Sequence, residues 1–131
     1  MDENEIAKVV VDVAFQIHSK LGPGLLESVY QTIMLYELHK RGLRAEKEVP
    51  IPVTWENMQI DLGFRADLIV EHKLIIELKS IDSISQVHKK QLHTYLKVTD
   101  IRLGLLINFG SELIKDGITR IANKLPEAPK T

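Results

Sequence analysis

Ile6, Val9, Val10, Val13, Ile17 and Leu21 recur at three- and four-residue spacing, which predicts an amphipathic helix over residues 4–21 with Asp2 or Asn4 as its cap. Gly22-Pro23-Gly24 stops it, and a second helix follows over 25–41, closed by Gly42. Val49, Ile51, Val53 and Trp55 then alternate with Glu48, Pro50, Pro52 and Thr54, the period of a strand over 46–55. Its prolines cannot donate to a ladder, so it belongs at a sheet edge. Glu56-Asn57-Met58 turns the chain into two further strands, 64–70 and 74–79, joined by Glu71-His72-Lys73, with Gly63 a candidate bulge placed to re-aim Asp67. Beyond a loop at 80–83, Ser83 or Ser85 caps a helix reaching about residue 97, whose face carries His88, Gln91, Leu92, Tyr95 and Leu96. Residues 101–108, IRLGLLIN, are almost wholly apolar, as in a buried strand parallel to its neighbour and reached by a helical crossover. A short outer strand around Gly117 and a polar tail over 125–131 complete the chain. The order predicts one α/β domain over 1–131: a mixed central sheet, three antiparallel strands plus one parallel, flanked by helices.

The hairpin at 64–79 carries the chemistry. Period two puts Arg65, Asp67 and Ile69 on one face of its first strand and Ile75, Glu77 and Lys79 on one face of its second. The other face, Ala66, Leu68, Val70, Leu74, Ile76 and Leu78, is apolar, so the sheet is covered on both sides. A three-residue loop pairs Val70 with Leu74 and sets Asp67 opposite Glu77. Opposed carboxylates destabilise a sheet unless a positive group or a proton lies between them. Lys79, a metal ion or protonation meets that need.

Asp67, nine intervening residues, then Glu77-x-Lys79 resembles the active-site signature of the PD-(D/E)XK nuclease superfamily, with Ala66 where the motif's name has proline. Gly24-Leu25-Leu26-Glu27-Ser28-Val29-Tyr30 matches the pattern that names the GxxExxY family of that superfamily, and Gln91-x-x-x-Tyr95 resembles the extra motif of its RecB-like members. The predicted element order resembles the superfamily's core as well. The resemblance implies a nuclease whose catalytic residues are Asp67, Glu77, Lys79, Glu27 and Gln91, with Tyr30 and Tyr95 near the bound strand. It also implies a metal site formed by Asp67, Glu77, the Leu78 carbonyl and Glu27. Each accessory residue has a plainer reading. Glu27 sits in a first helical turn, where the dipole alone favours an acid; Gln91 beside a core Tyr95 could simply face solvent; and Lys79 could serve only to neutralise Asp67 and Glu77.

Residue type narrows the cofactor. Two hard carboxylates, with no cysteine and no histidine pair at zinc spacing, suit Mg²⁺ or Mn²⁺. With 17 Lys and Arg against 18 Asp and Glu, the net charge is -1, so there is no global basic footprint for nucleic acid and any DNA or RNA contact must be local or shared with a protein partner or a second copy. Lys89, Lys90, His93, Lys97 and Arg102 form the most basic local surface; Lys89 and Lys90 are candidate phosphate contacts, or a solvated helix face. The acidic N-terminus lacks the order of a signal peptide and no apolar run reaches membrane-spanning length, which predicts a cytoplasmic chain with no membrane partner. Three functions fit: a metal-dependent nuclease, a catalytically silent binding module on the same fold, or an oligomerisation domain with an ion-paired core.

Overall fold

The computed structural model describes residues 1–126, so the predicted tail at 127–131 lies outside the described residues. Its elements run α1 (Glu3–Leu21), α2 (Glu27–Lys40), β1 (Ala45–Trp55), β2 (Met58–Val70), β3 (Leu74–Lys79), α3 (Gln86–Thr99), β4 (Leu103–Asn108), a short 3-10 turn at Ile114–Gly117, and β5 (Ile118–Ala122). The helix starts follow local chemistry. At α1, Asp2 Oδ1 accepts the Glu5 N–H at 2.8 Å while Glu5 Oε1 accepts the Asp2 N–H at 3.0 Å, a reciprocal capping box. At α3, Ser85 takes the cap position and His88 Nδ1 accepts its N–H at 3.1 Å, so His88 closes the helix end. Gly42, at φ 79°, lets the Leu43 N–H reach back to the Leu38 carbonyl and ends α2.

The five strands lie in the order β1-β2-β3-β4-β5, with β3 and β4 parallel and every other pair antiparallel. The proline-bearing β1 is an edge, as its missing donors require. The outer strand predicted over 114–122 begins only at Ile118, because 114–117 form the turn that delivers it. One sheet face packs Leu68, Val70, Leu74, Ile76, Leu78, Leu103, Leu105 and Ile107 against α1 and α2. The other packs Ile69, Ile75 and Leu106 against Leu92, Tyr95 and Leu96 of α3. Leu125, assigned to the tail, packs on the first of these clusters. No helix among the described residues is long and apolar enough to cross a membrane.

Alternation along β2 breaks at one place. Ala66, expected to share a face with Leu68, packs with Ile51 and Ile69 on the α3 side, while Leu68 faces α1 and α2. Between them lies Asp67. Across from it in β1, Glu48 adopts φ 51°, and the β1–β2 pairing runs Lys47↔Leu68 then Val49↔Ala66, omitting the Glu48–Asp67 step. A further irregularity falls between Ile51 and Val53, opposite the stretch that contains Gly63, four residues from Asp67. The backbone break beside Asp67 is therefore at Glu48 and Asp67 themselves.

The ends of β3 and β4 are tied by Asn108, fully buried, whose side chain accepts the Ile81 N–H at 3.0 Å and donates to the Ile81 carbonyl at 2.9 Å. Gly110 lies against this loop so closely that a Cβ there would strike the backbone N and carbonyl of Ile81. Backbone cannot give way as a side-chain tip can. Gly110→Ala is expected to cost about 1–3 kcal/mol in urea denaturation; an unchanged midpoint would show that the loop after β3 is not held against Gly110.

Candidate active site

The β2–β3 pairing runs Val70↔Leu74, Ile69↔Ile75 and Leu68↔Ile76, the predicted register, and its next step is Asp67 beside Glu77. The ladder stops one pair short. Side chains replace it: Glu77 Oε1 accepts the Asp67 N–H at 3.2 Å, and Asp67 Oδ2 accepts the Leu78 N–H at 2.7 Å. Each carboxylate thus grips the opposite strand. The Asp67 carbonyl, also outside both ladders, accepts from Gln31 Nε2 at 2.9 Å, and that amide nitrogen donates as well to Glu48 Oε1 at 2.8 Å. Asp67 is held through N–H, C=O and side chain by groups from two other elements, β3 and α2.

These bonds leave Asp67 and Glu77 adjacent, so their charges conflict. Burial, then the Asp67 charge, pushes Glu77 up to about 8 against an ordinary 4.5, with Lys79 opposing. Asp67 is also raised, chiefly by burial and further by Glu48, while the Leu78 N–H, Glu77 and Lys79 hold it down. At neutral pH and without a cation, the pair shares a proton. Tyr95 is buried on the α3 side, its ring 4.7 Å from that of Phe64, and burial followed by the charges of Glu77 and Asp67 pushes its phenol up to about 12. It stays neutral beside the pair.

On the α2 side, Asp67 and Leu78 open onto a cavity of about 500 Å³ lined also by Leu25, Leu26, Glu27, Ser28, Gln31, Glu48 and Ser80. Three carboxylates face it and no Lys or Arg does. The loop before α2 is drawn to this wall by Tyr30, whose hydroxyl donates to the Gly22 carbonyl at 2.6 Å and accepts the Leu25 N–H at 3.2 Å while its ring stacks 4.2 Å from that of Phe109. Ser80 completes the closure: its hydroxyl donates to the Leu25 carbonyl at 2.6 Å and its N–H to Glu27 Oε2 at 3.1 Å. The spaced Gly, Glu and Tyr of 24–30 therefore act as a loop clamp that presents Glu27 at the cavity wall.

Several expectations need correction. Tyr30 is fully buried with its hydroxyl engaged by backbone, so it supports the loop and offers a bound strand nothing. Gln91 is exposed on α3 and is not among the residues lining the cavity. Lys89 and Lys90 line a different groove, between α3 and β5. Glu27 reaches the cavity wall, where its carboxylate accepts the Ser80 N–H; among the described residues no three His, Asp or Glu side chains gather at metal-holding distance. Gln31, Glu48 and Ser80 were not anticipated. Gln31 alone left a trace, one helical turn beyond Glu27 on the same face.

The model of the PD-(D/E)XK nuclease superfamily matches residues 4–121. The chain belongs to that superfamily. The match takes in the α1–α2 layer, the full sheet and α3, and so both walls of the cavity. No curated protein and no solved structure matches the chain.

The shared proton has a consequence for stability. Because the Glu77 carboxyl is raised in the folded chain, the folded state keeps a proton between pH 4.5 and about 8 that the unfolded state releases. Its contribution is complete below the lower value and is lost as pH rises through the upper one. In metal-free buffer, Glu77→Gln is expected to unfold at higher urea than the parent at pH 8.5, by on the order of 2 kcal/mol, and to lose that advantage at pH 5. Parallel stability curves across this range would show that Glu77 is not protonated in the fold.

Proposed function

We propose that the chain is a metal-dependent nuclease that hydrolyses phosphodiester bonds of DNA or RNA, and that within its superfamily it is of the GxxExxY type, whose three named residues are Gly24, Glu27 and Tyr30. The observation that carries this reading is the hydrogen-bonded Asp67–Glu77 pair, whose Asp67 lines an acidic cavity. Buried Glu77, its carboxyl pushed up to about 8 beside the half-buried Asp67, is a group from which a divalent cation would displace a proton.

The donor set fits Mg²⁺ or Mn²⁺: a hard ion takes one or two carboxylates and completes its shell with water or a backbone oxygen. Asp67 and Glu77 would hold it, with the Leu78 carbonyl as a further oxygen donor. When bound, such an ion supplies positive charge for a phosphoryl oxygen and lowers the pKa of a water. The chain's own residues do the remaining work. Lys79, two residues past Glu77, favours the charged forms of both carboxylates and can orient an attacking water or offset negative charge as it develops. Glu48 and Gln31 fix the Asp67 backbone, and Glu27 keeps the far wall acidic. Without a cation, the same acidic wall repels a phosphodiester.

The catalytically silent binding module remains the second reading, favoured by the two-carboxylate rather than three-carboxylate grouping among the described residues. Cleavage of labelled single- and double-stranded DNA and RNA with Mg²⁺ or Mn²⁺ separates the two. Asp67→Ala and Lys79→Ala are each expected to lower the rate about 100-fold or more; identical cleavage by parent and variants would assign the activity to a contaminant. In calorimetric titration, Mn²⁺ is expected to bind the parent with proton release and to bind Glu77→Ala at least about tenfold more weakly. Undiminished binding by that variant would remove Glu77 from the metal site.

A further inference from the structure

We propose that the groove between α3 and β5 is a separate, metal-independent contact surface for the sugar-phosphate backbone of nucleic acid. Lys89, Lys90, His93 and Lys97 follow helical spacing along one side of α3, opposite Thr119 and Ile121 of β5 across a groove of about 660 Å³. No acidic residue lines it, and it shares no lining residue with the Asp67 cavity. In a chain with 18 acids to 17 Lys and Arg, an even mixture would place carboxylates among these cations. The nearest acids, Asp82, Glu112 and Asp116, line an adjoining groove that shares only Lys89 and Thr119 with this one. Nor do the cations find acids elsewhere: among the described residues the ion pairs join Lys40 to Glu37, Arg41 to Asp12, and Arg44 and His72 to Glu46. The Arg120 guanidinium turns to the other sheet face, where it bonds the Asn4 side chain of α1.

The dimensions and chemistry favour a backbone over bases. Residues 89 to 97 span about 12 Å of helix axis, enough for about three phosphates at the axial spacing of one strand. Thr94 and Thr119 add hydroxyls that can bond phosphate oxygens. No Phe, Tyr or Trp lines the groove to stack a base, which is the usual feature of a single-strand platform. Contact is then sequence-independent and open to a duplex.

Anisotropy with a fluorescent duplex of about 24 base pairs, its single strand and a matching RNA, all in EDTA, tests this without cleavage. The parent is expected to bind the duplex with strong salt dependence. Lys90→Ala/Lys97→Ala, both exposed, should weaken binding at least about tenfold at low salt and reduce the salt slope by about 2. Lys20→Ala/Lys115→Ala, the same charge change outside the groove, should leave both nearly unchanged. Asp67→Ala should bind like the parent, so the groove and the catalytic reading can fail separately. An equal loss in the control pair, no binding of any nucleic acid by the parent, or groove-dependent binding to phosphatidylserine vesicles in place of nucleic acid would overturn the proposal.

Discussion

Everything at the centre of this fold depends on how Asp67 and Glu77 cross between β2 and β3. A regular ladder step there would satisfy the backbone and leave two carboxylates opposed on a desolvated face. The chain instead stops the ladder and lets each carboxylate accept an N–H from the other strand. Those bonds satisfy donors that burial would otherwise orphan at about 1–3 kcal/mol each. The arrangement leaves a residual conflict between like charges, answered by a shared proton in the absence of metal and by Lys79 nearby. The local cost of the sheet defect and the proposed capacity to take a cation have one origin.

A defect of this kind needs support from outside the sheet, and α2 provides it. Gln31 bridges the Asp67 carbonyl and Glu48, so the break in the β1–β2 ladder is bonded across its gap by one amide. The helix is anchored in turn by the Tyr30 hydroxyl on the Gly22–Leu25 loop and by Ser80 reaching that loop from the end of β3. Glu27 thus owes its place to a chain of contacts ending at Asn108, which fixes the segment after β3.

Elements governed by local periodicity were legible in the sequence. Both long helices, the edge position of the proline strand and the parallel crossover follow from spacing, caps and donor counting, and the Val70↔Leu74 pairing follows from a three-residue loop. From that pairing came the meeting of Asp67 and Glu77. Local pattern failed where placement depends on a partner distant in sequence. Glu48 reads as a polar position on an alternating strand, yet its left-handed backbone is what opens the ladder beside Asp67. Tyr30 and Glu27 share a helical face, but that face spans both the core and the cavity rim, and spacing cannot divide it. Gln91 and Tyr95 split the same way across the boundary of α3, one exposed and one buried.

The near-neutral total charge looked adverse to a nucleic-acid function only because a sum hides its distribution. Acids line the Asp67 cavity and cations line the α3–β5 groove, so the fields at the two places have opposite sign. A polyanion arriving at such a surface is drawn to the groove and held off the cavity until positive charge occupies it. Mixing those charges would leave the sum unchanged and erase both effects. On the proposed reading, the separation would make backbone binding independent of a cation and approach to Asp67 dependent on one.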